Sequence, residues 1–447
     1  MKVLFSNPPW WDVDLKTQQL LIGVRAGSRW PFTRYSVHSP GEFRHGGYLP
    51  FPFFLASAAA RTRATLPEAT VEIRDSIARG ESYQQFFDAV LAEPPDWVVL
   101  ETATAAWVHD EKVIDWFAAK TNAQIILCGP LDITKADEIL GRHRNIAAIV
   151  QGEYDKQVLR VIRGQRGVIA HDLLTVQEMD SLPYPLHDEV AVGNYWDACP
   201  KGQEAPQLQL ITSRGCPYKC IFCVWPAVMT GNDPDGTRAR TVRCHSPEWV
   251  RGAIKTQIDD AWTKGVRYKS IYLDDDTFNL TEKHTRLISR VMEEFRLPWF
   301  AMCRADTVKE ETWKLMMECG CRGVKLGFES GSQTVIDKII NKRLNLAKAA
   351  DTARMLKKLG MTVHGTFTVG LPGETKEQQH ETIAYIKDLY DTGGLDTHQL
   401  SGTAEIEGTP LHTLKVTGSL EKYAAAKIDD AYMANPDGAA KLREMKL

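Results

Sequence analysis

Short apolar runs alternating with helical stretches constrain this chain more than any other feature. Residues 2–6 (KVLFS), 71–74 (VEIR), 96–101 (DWVVLE), 124–128 (QIILC) and 147–150 (AAIV) read as strands. Helical stretches lie between them, near 53–62, 83–91, 111–119, 135–142 and 156–163. Strands that are apolar throughout, rather than alternating, belong to parallel sheets covered on both faces. The expectation is a doubly wound α/β domain over residues 1–166. Such sheets bind ligands at the carboxyl ends of their strands. Small or flexible residues fall at those ends: Ser6-Asn7-Pro8-Pro9, Thr102 and Thr104, Gly129-Pro130, and Gly152-Glu153.

From residue 208 the alternation resumes. Strands are expected at 208–212, 270–273, 299–302, 323–327 and 362–369, with helices near 247–264, 281–295, 310–317, 333–339, 346–359 and 376–390. Residues 167–207 read as a linker, since the prolines of Ser181-Leu182-Pro183-Tyr184-Pro185 favour extended backbone. Residues 208–410 form the second domain and 411–447 a helical tail.

The first strand of the second block runs into Arg214-Gly215-Cys216-Pro217-Tyr218-Lys219-Cys220-Ile221-Phe222-Cys223. Three thiolates this close can each ligate one iron of a cubane. Iron–sulfur clusters normally take four cysteines, so one iron is left open to a substrate or cofactor. A structural zinc loop is the alternative, but zinc sites pair two spaced arms and Cys244-His245 are adjacent. Lys219 adds positive charge that favours thiolates.

The spacing C-x3-C-x2-C resembles the signature of the radical S-adenosylmethionine (SAM) enzymes. Preceded by a parallel α/β domain, it resembles the cobalamin-dependent (B12-binding) branch of that family. The resemblance implies a Rossmann-like cobalamin domain followed by a partial (β/α)6 barrel. It implies a 4Fe-4S cluster on Cys216, Cys220 and Cys223, with SAM chelated to the open iron and cleaved to a 5′-deoxyadenosyl radical. Strand-end residues resembling the family's SAM loops are Asp274 and Asp275 of Asp274-Asp275-Asp276, Arg304, Glu329 and Ser330 in Gly327-Phe328-Glu329-Ser330-Gly331, and Gly370 and Glu374 in Gly370-Leu371-Pro372-Gly373-Glu374-Thr375. Phe222 would shield the cluster or pack near adenine. Solvated carboxylates and a structural Arg304 salt bridge are the plain alternatives. Glu405-Ile406-Glu407-Gly408-Thr409-Pro410 takes the place of the family's closing strand.

On the cobalamin side the resemblance implies Thr102, Thr104, Gly129, Gly152 and Glu153. The D-x-H-x-x-G motif, whose histidine binds cobalt, is absent in full. Ser36-Val37-His38-Ser39-Pro40-Gly41 keeps a histidine, making His38 a candidate ligand, and Asp75-Ser76-Ile77-Ala78-Arg79-Gly80 keeps the aspartate and glycine. The segment from Trp10 to Tyr48 is too long for an ordinary connection. It is expected either to cover the cofactor, with Arg25 and Arg29 meeting an anion, or to pack its aromatics as a plain loop.

The implied activity is methyl transfer to an unactivated carbon of a small molecule or biosynthetic intermediate. A non-methylating B12 enzyme (cyclase, ring rearrangement or oxidation), a radical SAM enzyme whose N-terminal domain is empty, and a non-catalytic iron–sulfur redox or sensor protein are the rivals. A donor such as flavodoxin or ferredoxin would supply electrons. A net charge of −3 over 447 residues gives no electrostatic case for nucleic acid. The nine cysteines are not a disulfide framework in a chain this long. With no signal-peptide pattern and no apolar run of spanning length, a cytoplasmic protein is expected.

Overall fold

The computed structural model describes residues 1–13, 20–23, 32–34, 48–103, 106–131, 133–224, 241–403 and 409–419. Arg25, Arg29, His38, Thr104, Trp225-Pro226 and Glu405 to Gly408 lie outside them.

The first half is a six-stranded parallel sheet in the order Gly167–Ile169, Ile146–Val150, Gln124–Cys128, Trp97–Glu101, Lys2–Asn7, Thr70–Asp75. Its last strand lies just past residue 166. Successive residues of one strand serve different cores. Val99, Ile126 and Ala148 pack with Phe54, Ala58 and Val158. Val98, Leu100, Ile125 and Leu127 pack with Phe86, Val113 and Phe117. This is why the strand runs lack polar alternation: both faces are dry. The chain steps from Lys2–Asn7 to one neighbour and returns to Trp97–Glu101 on the other side, so the topological switch point lies between those two strands. Ligand crevices of doubly wound sheets form at such points.

The second half is another six-stranded parallel sheet, with strands in chain order: Gln207–Leu210, Ser270–Leu273, Trp299–Cys303, Cys321–Glu329, Thr362–Val369, Thr397–Gly402. No pairing joins its first and last strands, the arrangement of a partial barrel. Leu208, Leu210, Ile271, Leu273, Trp299, Ala301, Val324 and Leu326 pack under the helices. The alternate positions Gln209, Lys325 and His364 are buried and polar. The helices start where hydroxyls satisfy free backbone N–H groups, as Ser246, Thr281 and Thr375 do.

Four local expectations need correction. The strand expected over 208–212 ends at Leu210, and Ser213–Arg214 instead pairs antiparallel with Arg243–Cys244. The helix expected over 333–339 forms, but its Val335–Ile339 part is π-helical rather than α-helical. The sixth strand is Thr397–Gly402, ahead of the expected closing strand, and Pro410 opens the helix Pro410–Val416. The long segment after the first strand is not simply a loop. Trp11–Val13, Leu20–Gly23 and Phe32–Arg34 form a three-stranded antiparallel sheet.

The two halves share interior. Ile211 joins the core of the first sheet. The helix Phe53–Thr65 is buried almost all round, with Ala56, Ala58, Ala59 and Ala60 at 2% exposure or less. Small side chains there let backbone approach on several sides. The linker runs back along the first half. Its Trp196–Asp197 pairs with Tyr48–Leu49, and its Asp188 takes the Nε–H of Arg79 at 2.6 Å.

Candidate active site

The cysteine loop leaves the carboxyl end of the first barrel strand and is fixed at both ends. Asp275, fully buried, accepts the N–H of Thr212 (3.0 Å), the Thr212 hydroxyl (2.9 Å) and the Ser213 hydroxyl. Asp276 accepts the N–H of Gly215 at 2.9 Å. Gly215 has φ +93°, a conformation that suits glycine and turns the chain toward Cys216. Farther on, Ile221 donates to the Ile340 carbonyl (3.1 Å) and accepts from the Leu411 N–H (2.9 Å). The Tyr218 ring lies 3.7 Å from the Arg304 guanidinium. Arg304 is bidentate to Asp306 and also donates to the Arg343 carbonyl.

Cys216 is buried and its thiol is pushed up to about 11, by burial first and by Asp276 next. Its sulfur is 3.8 Å from the Thr277 hydroxyl. Cys220 and Cys223 are half-buried, and none of the three is in a disulfide. Phe222 packs against the barrel core. Among the described residues no three His, Cys, Asp or Glu side chains converge on a single ion. A cubane asks for something else, one thiolate per iron, and soft thiolates on one short loop are the donor set it takes.

The other strand ends are equally braced. Glu329 (φ +69°) pairs with Lys342 at 2.7 Å. A Cβ on Gly327 would fall 2.4 Å from Glu329 Oε1, and one on Gly331 2.5 Å from the Glu381 carbonyl. Ser330 bonds Thr382 and accepts the Ser332 N–H. Glu374 accepts the N–H groups of Gly370 (2.7 Å) and Leu371 (3.2 Å), closing its loop on itself. Burial pushes its carboxyl up to about 7. Its other oxygen, Oε1, is buried without a protein partner, so a bound donor has a place to go.

In the first half, Thr102 donates to Asp110 at 2.6 Å. Gly129 has φ +101°, and a Cβ there would sit 2.2 Å from the Thr102 carbonyl. Gly152 has φ +68°, and its Cβ would meet His171 at 2.1 Å. Glu153 is buried and paired with Arg243. At the end of the switch-point strand, Ser6 Oγ and Asn7 Oδ1 are buried with no partner, polar atoms that an amide-rimmed cofactor could satisfy. Asp75-to-Gly80 forms the helical turn Ser76–Arg79, capped by Asp75 and closed by Gly80 at φ +66°.

Sequence reasoning passed over Arg214, Asp155 and Tyr218 as functional residues, and took Asp276 only as part of the acidic triplet. Only the position of Arg214 and Tyr218 beside the cysteines hinted at them. The partners of Arg214 lie 59 or more residues away, beyond any local pattern.

Three-cysteine loop, partial barrel and glycine-tight strand ends together are the arrangement that the resemblance to radical SAM enzymes implied. Residues 210–386 match the radical SAM superfamily. The chain is 26% identical over 393 residues to an uncharacterized methyltransferase of Pyrococcus horikoshii, covering 83% of this chain and 79% of the relative. It is 29% identical over 228 residues to cytidylyl-2-hydroxyethylphosphonate methyltransferase of Streptomyces wedmorensis, covering 47% of this chain and 39% of that one. The structure of the radical SAM methyltransferase TsrM from Kitasatospora setae, with cobalamin and a [4Fe-4S] cluster bound, superposes with a TM-score of 0.62 at 16% identity, over 81% of this chain and 71% of that chain. That likeness covers both halves of the fold. No helix among the described residues is long and apolar enough to cross a membrane.

Proposed function

We propose that the protein is a cobalamin-dependent radical SAM methyltransferase that methylates an unactivated carbon of a small molecule. The observation that carries this reading is the presence, in one chain, of a three-cysteine loop at a barrel strand end and a doubly wound sheet whose switch-point strand ends in unsatisfied polar atoms. Methyltransferase relatives and the cobalamin-bound TsrM structure support it. A small-molecule substrate fits the relative named for cytidylyl-2-hydroxyethylphosphonate.

When bound, the cluster and SAM supply a 5′-deoxyadenosyl radical, and cobalamin supplies the methyl group. The protein's task is placement and exclusion of water. Cys216, Cys220 and Cys223 would hold the cluster, which leaves one iron for SAM. Asp275 and Asp276 hold the loop from below, while Tyr218 and Arg304 hold it from the side. Asp274, Glu329, Ser330, Gly370 and Glu374 would hold SAM, and the buried Glu374 Oε1 would be open to a donor from it. Thr102, Gly129 and Gly152 shape the cobalamin crevice, and Asn7 joins them. A small flavodoxin- or ferredoxin-type donor and a cytoplasmic setting complete the reading.

The test is anaerobic reconstitution with iron, sulfide and hydroxocobalamin, then dithionite and SAM, with mass spectrometry. 5′-Deoxyadenosine with S-adenosylhomocysteine and stoichiometric cobalamin is the expected result. Cluster-loaded protein that retains no cobalamin would sink the methyltransferase reading.

A further inference from the structure

Two arginines face each other across the small ribbon that begins the cysteine loop: Arg214 pairs in register with Arg243. Like charges directly opposite on paired strands repel, yet both side chains are buried, at 2% and 9% exposure. Two carboxylates from the first half make this possible. Asp155 takes Arg214 in a bidentate pair, 2.8 Å to Nη1 and 3.2 Å to Nη2. Glu153 takes both nitrogens of the Arg243 fork and lies 3.5 Å from Arg214 Nη1. Both carboxylates are 1% exposed. Two cations and two anions thus close a neutral cluster with almost no access to water.

Neighbouring groups support the cluster, although the Nε atoms of Arg214 and Arg243 are buried without a partner. Ser57, on the alanine-faced helix, donates to Asp155 at 2.6 Å and accepts from Arg214 at 3.1 Å. The Phe54 ring lies 4.8 Å from the Arg214 guanidinium. Glu153 accepts the Leu174 N–H, and Arg243 donates to the Leu174 carbonyl. His245 beside them is held well below the usual histidine range, by burial first and by Arg214 next; a third cation is thereby avoided.

The cluster also reaches the ligand crevice. Tyr154, between the two carboxylates in sequence, donates its hydroxyl to Glu101 at 2.6 Å. Glu101 ends the strand beside the switch point, next to Thr102. Arg214, two residues before Cys216, is thus forked to Asp155, and Tyr154, the residue before Asp155, is bonded to Glu101 at the crevice. Stability alone does not call for such an arrangement, because apolar side chains of similar volume are often as good in a buried site. Charged forks do supply fixed geometry.

We propose that Arg214, Arg243, Glu153 and Asp155 are positioning residues that set the cysteine loop against the cobalamin crevice, so that order in one is felt in the other. The proposal rests on the cluster assignment above and adds a coupling between the halves. Arg214→Lys and Asp155→Asn weaken the fork while leaving the cysteines and the crevice residues untouched.

The measurement is hydrogen exchange on full-length protein under anaerobic conditions, before and after cluster reconstitution, with iron and sulfide quantified. In the unaltered protein, cluster assembly should slow exchange at least tenfold in peptides covering residues 151–162, as well as in the cysteine loop. In Arg214→Lys and Asp155→Asn the loop should still be protected at equal iron content, with the change over 151–162 falling below about twofold. Should the single variants not fold, the double variant Arg214→Met with Asp155→Leu refills the site without charge and should show the same lost coupling. Equal slowing of 151–162 in loaded variants and unaltered protein, or none in the loaded unaltered protein, overturns the coupling and leaves the enzyme reading intact. Unaltered protein that takes up no iron and sulfide overturns both, and the iron assay distinguishes the cases.

Discussion

Replacing Asp75 by asparagine should change how the protein's stability depends on pH, with a sign fixed by the fold. The carboxyl ends the edge strand of the first sheet, 1% exposed. It accepts the Ala78 N–H (3.1 Å) and the Tyr195 hydroxyl (3.2 Å), and its own backbone N–H is taken by Asp188. Asn7 is a further donor to it. Arg79, the nearby cation, is engaged by Asp188 instead. Burial, and after it the Asp188 charge, push the Asp75 carboxyl from 3.8 up to about 7. Between those two values the folded protein holds a proton that the unfolded chain has lost. Stability is therefore greatest below about pH 4 and falls as pH rises through 7. The full rise corresponds to ~4 kcal/mol. Structural relaxation around the ionised group reduces this to roughly 2 kcal/mol. Asp75→Asn removes the titration and keeps an oxygen acceptor. Thermal unfolding from pH 4.5 to 8 should show the variant level with or slightly below the unaltered protein at the acid end. At pH 8 it should be more stable by roughly 2 kcal/mol, or about 2–4 °C in a chain of this length. A difference between the two proteins that stays constant across this range would refute the reasoning.

Gly129→Ala should destabilise the first half by several kcal/mol, on the order of 4, because a Cβ at φ +101° would press on the Thr102 carbonyl at 2.2 Å; chemical denaturation and cobalamin retention are the readouts. Cys216→Ala, Cys220→Ala and Cys223→Ala should each abolish 5′-deoxyadenosine formation and lower bound iron, checked by mass spectrometry and iron assay, while leaving circular dichroism unchanged. Asp276→Ala frees the Gly215 N–H and should slow cluster reconstitution several-fold with a loss of only ~1 kcal/mol, whereas Asp275→Ala strips three donors of one acceptor and should cost roughly 3 kcal/mol, read by denaturant midpoint.

Most strands were legible because dry parallel strands are apolar without interruption; residues 124–128 and 362–369 were placed to the residue. The misses have physical causes. Trp11–Val13, Leu20–Gly23 and Phe32–Arg34 are only three or four residues long and sit outside the main sheets, too short for a periodicity to announce them. Thr397–Gly402 is a half-exposed edge strand of mixed polarity (THQLSG), unlike the interior strands the pattern favours. The cysteine loop could be read because its chemistry lies within eight residues. The supports of that loop could not. Arg214 reads as an ordinary basic residue until Asp155 arrives from another domain, and Asp275 differs from its neighbours only in which way it faces.

The alanine-faced helix Phe53–Thr65 has a consequence for how this architecture can be divided. Its surroundings come from both halves, since the Arg214 guanidinium lies over Phe54 while Val3, Phe5 and Ile211 belong to the same core. A cut near residue 207 would strip the helix of one wall and take away the arginines that pair with Asp155 and Glu153. The halves are therefore not modules to be expressed, swapped or grafted singly. A chimera that exchanged one half between relatives would have to carry matching surfaces on this helix and on the ribbon.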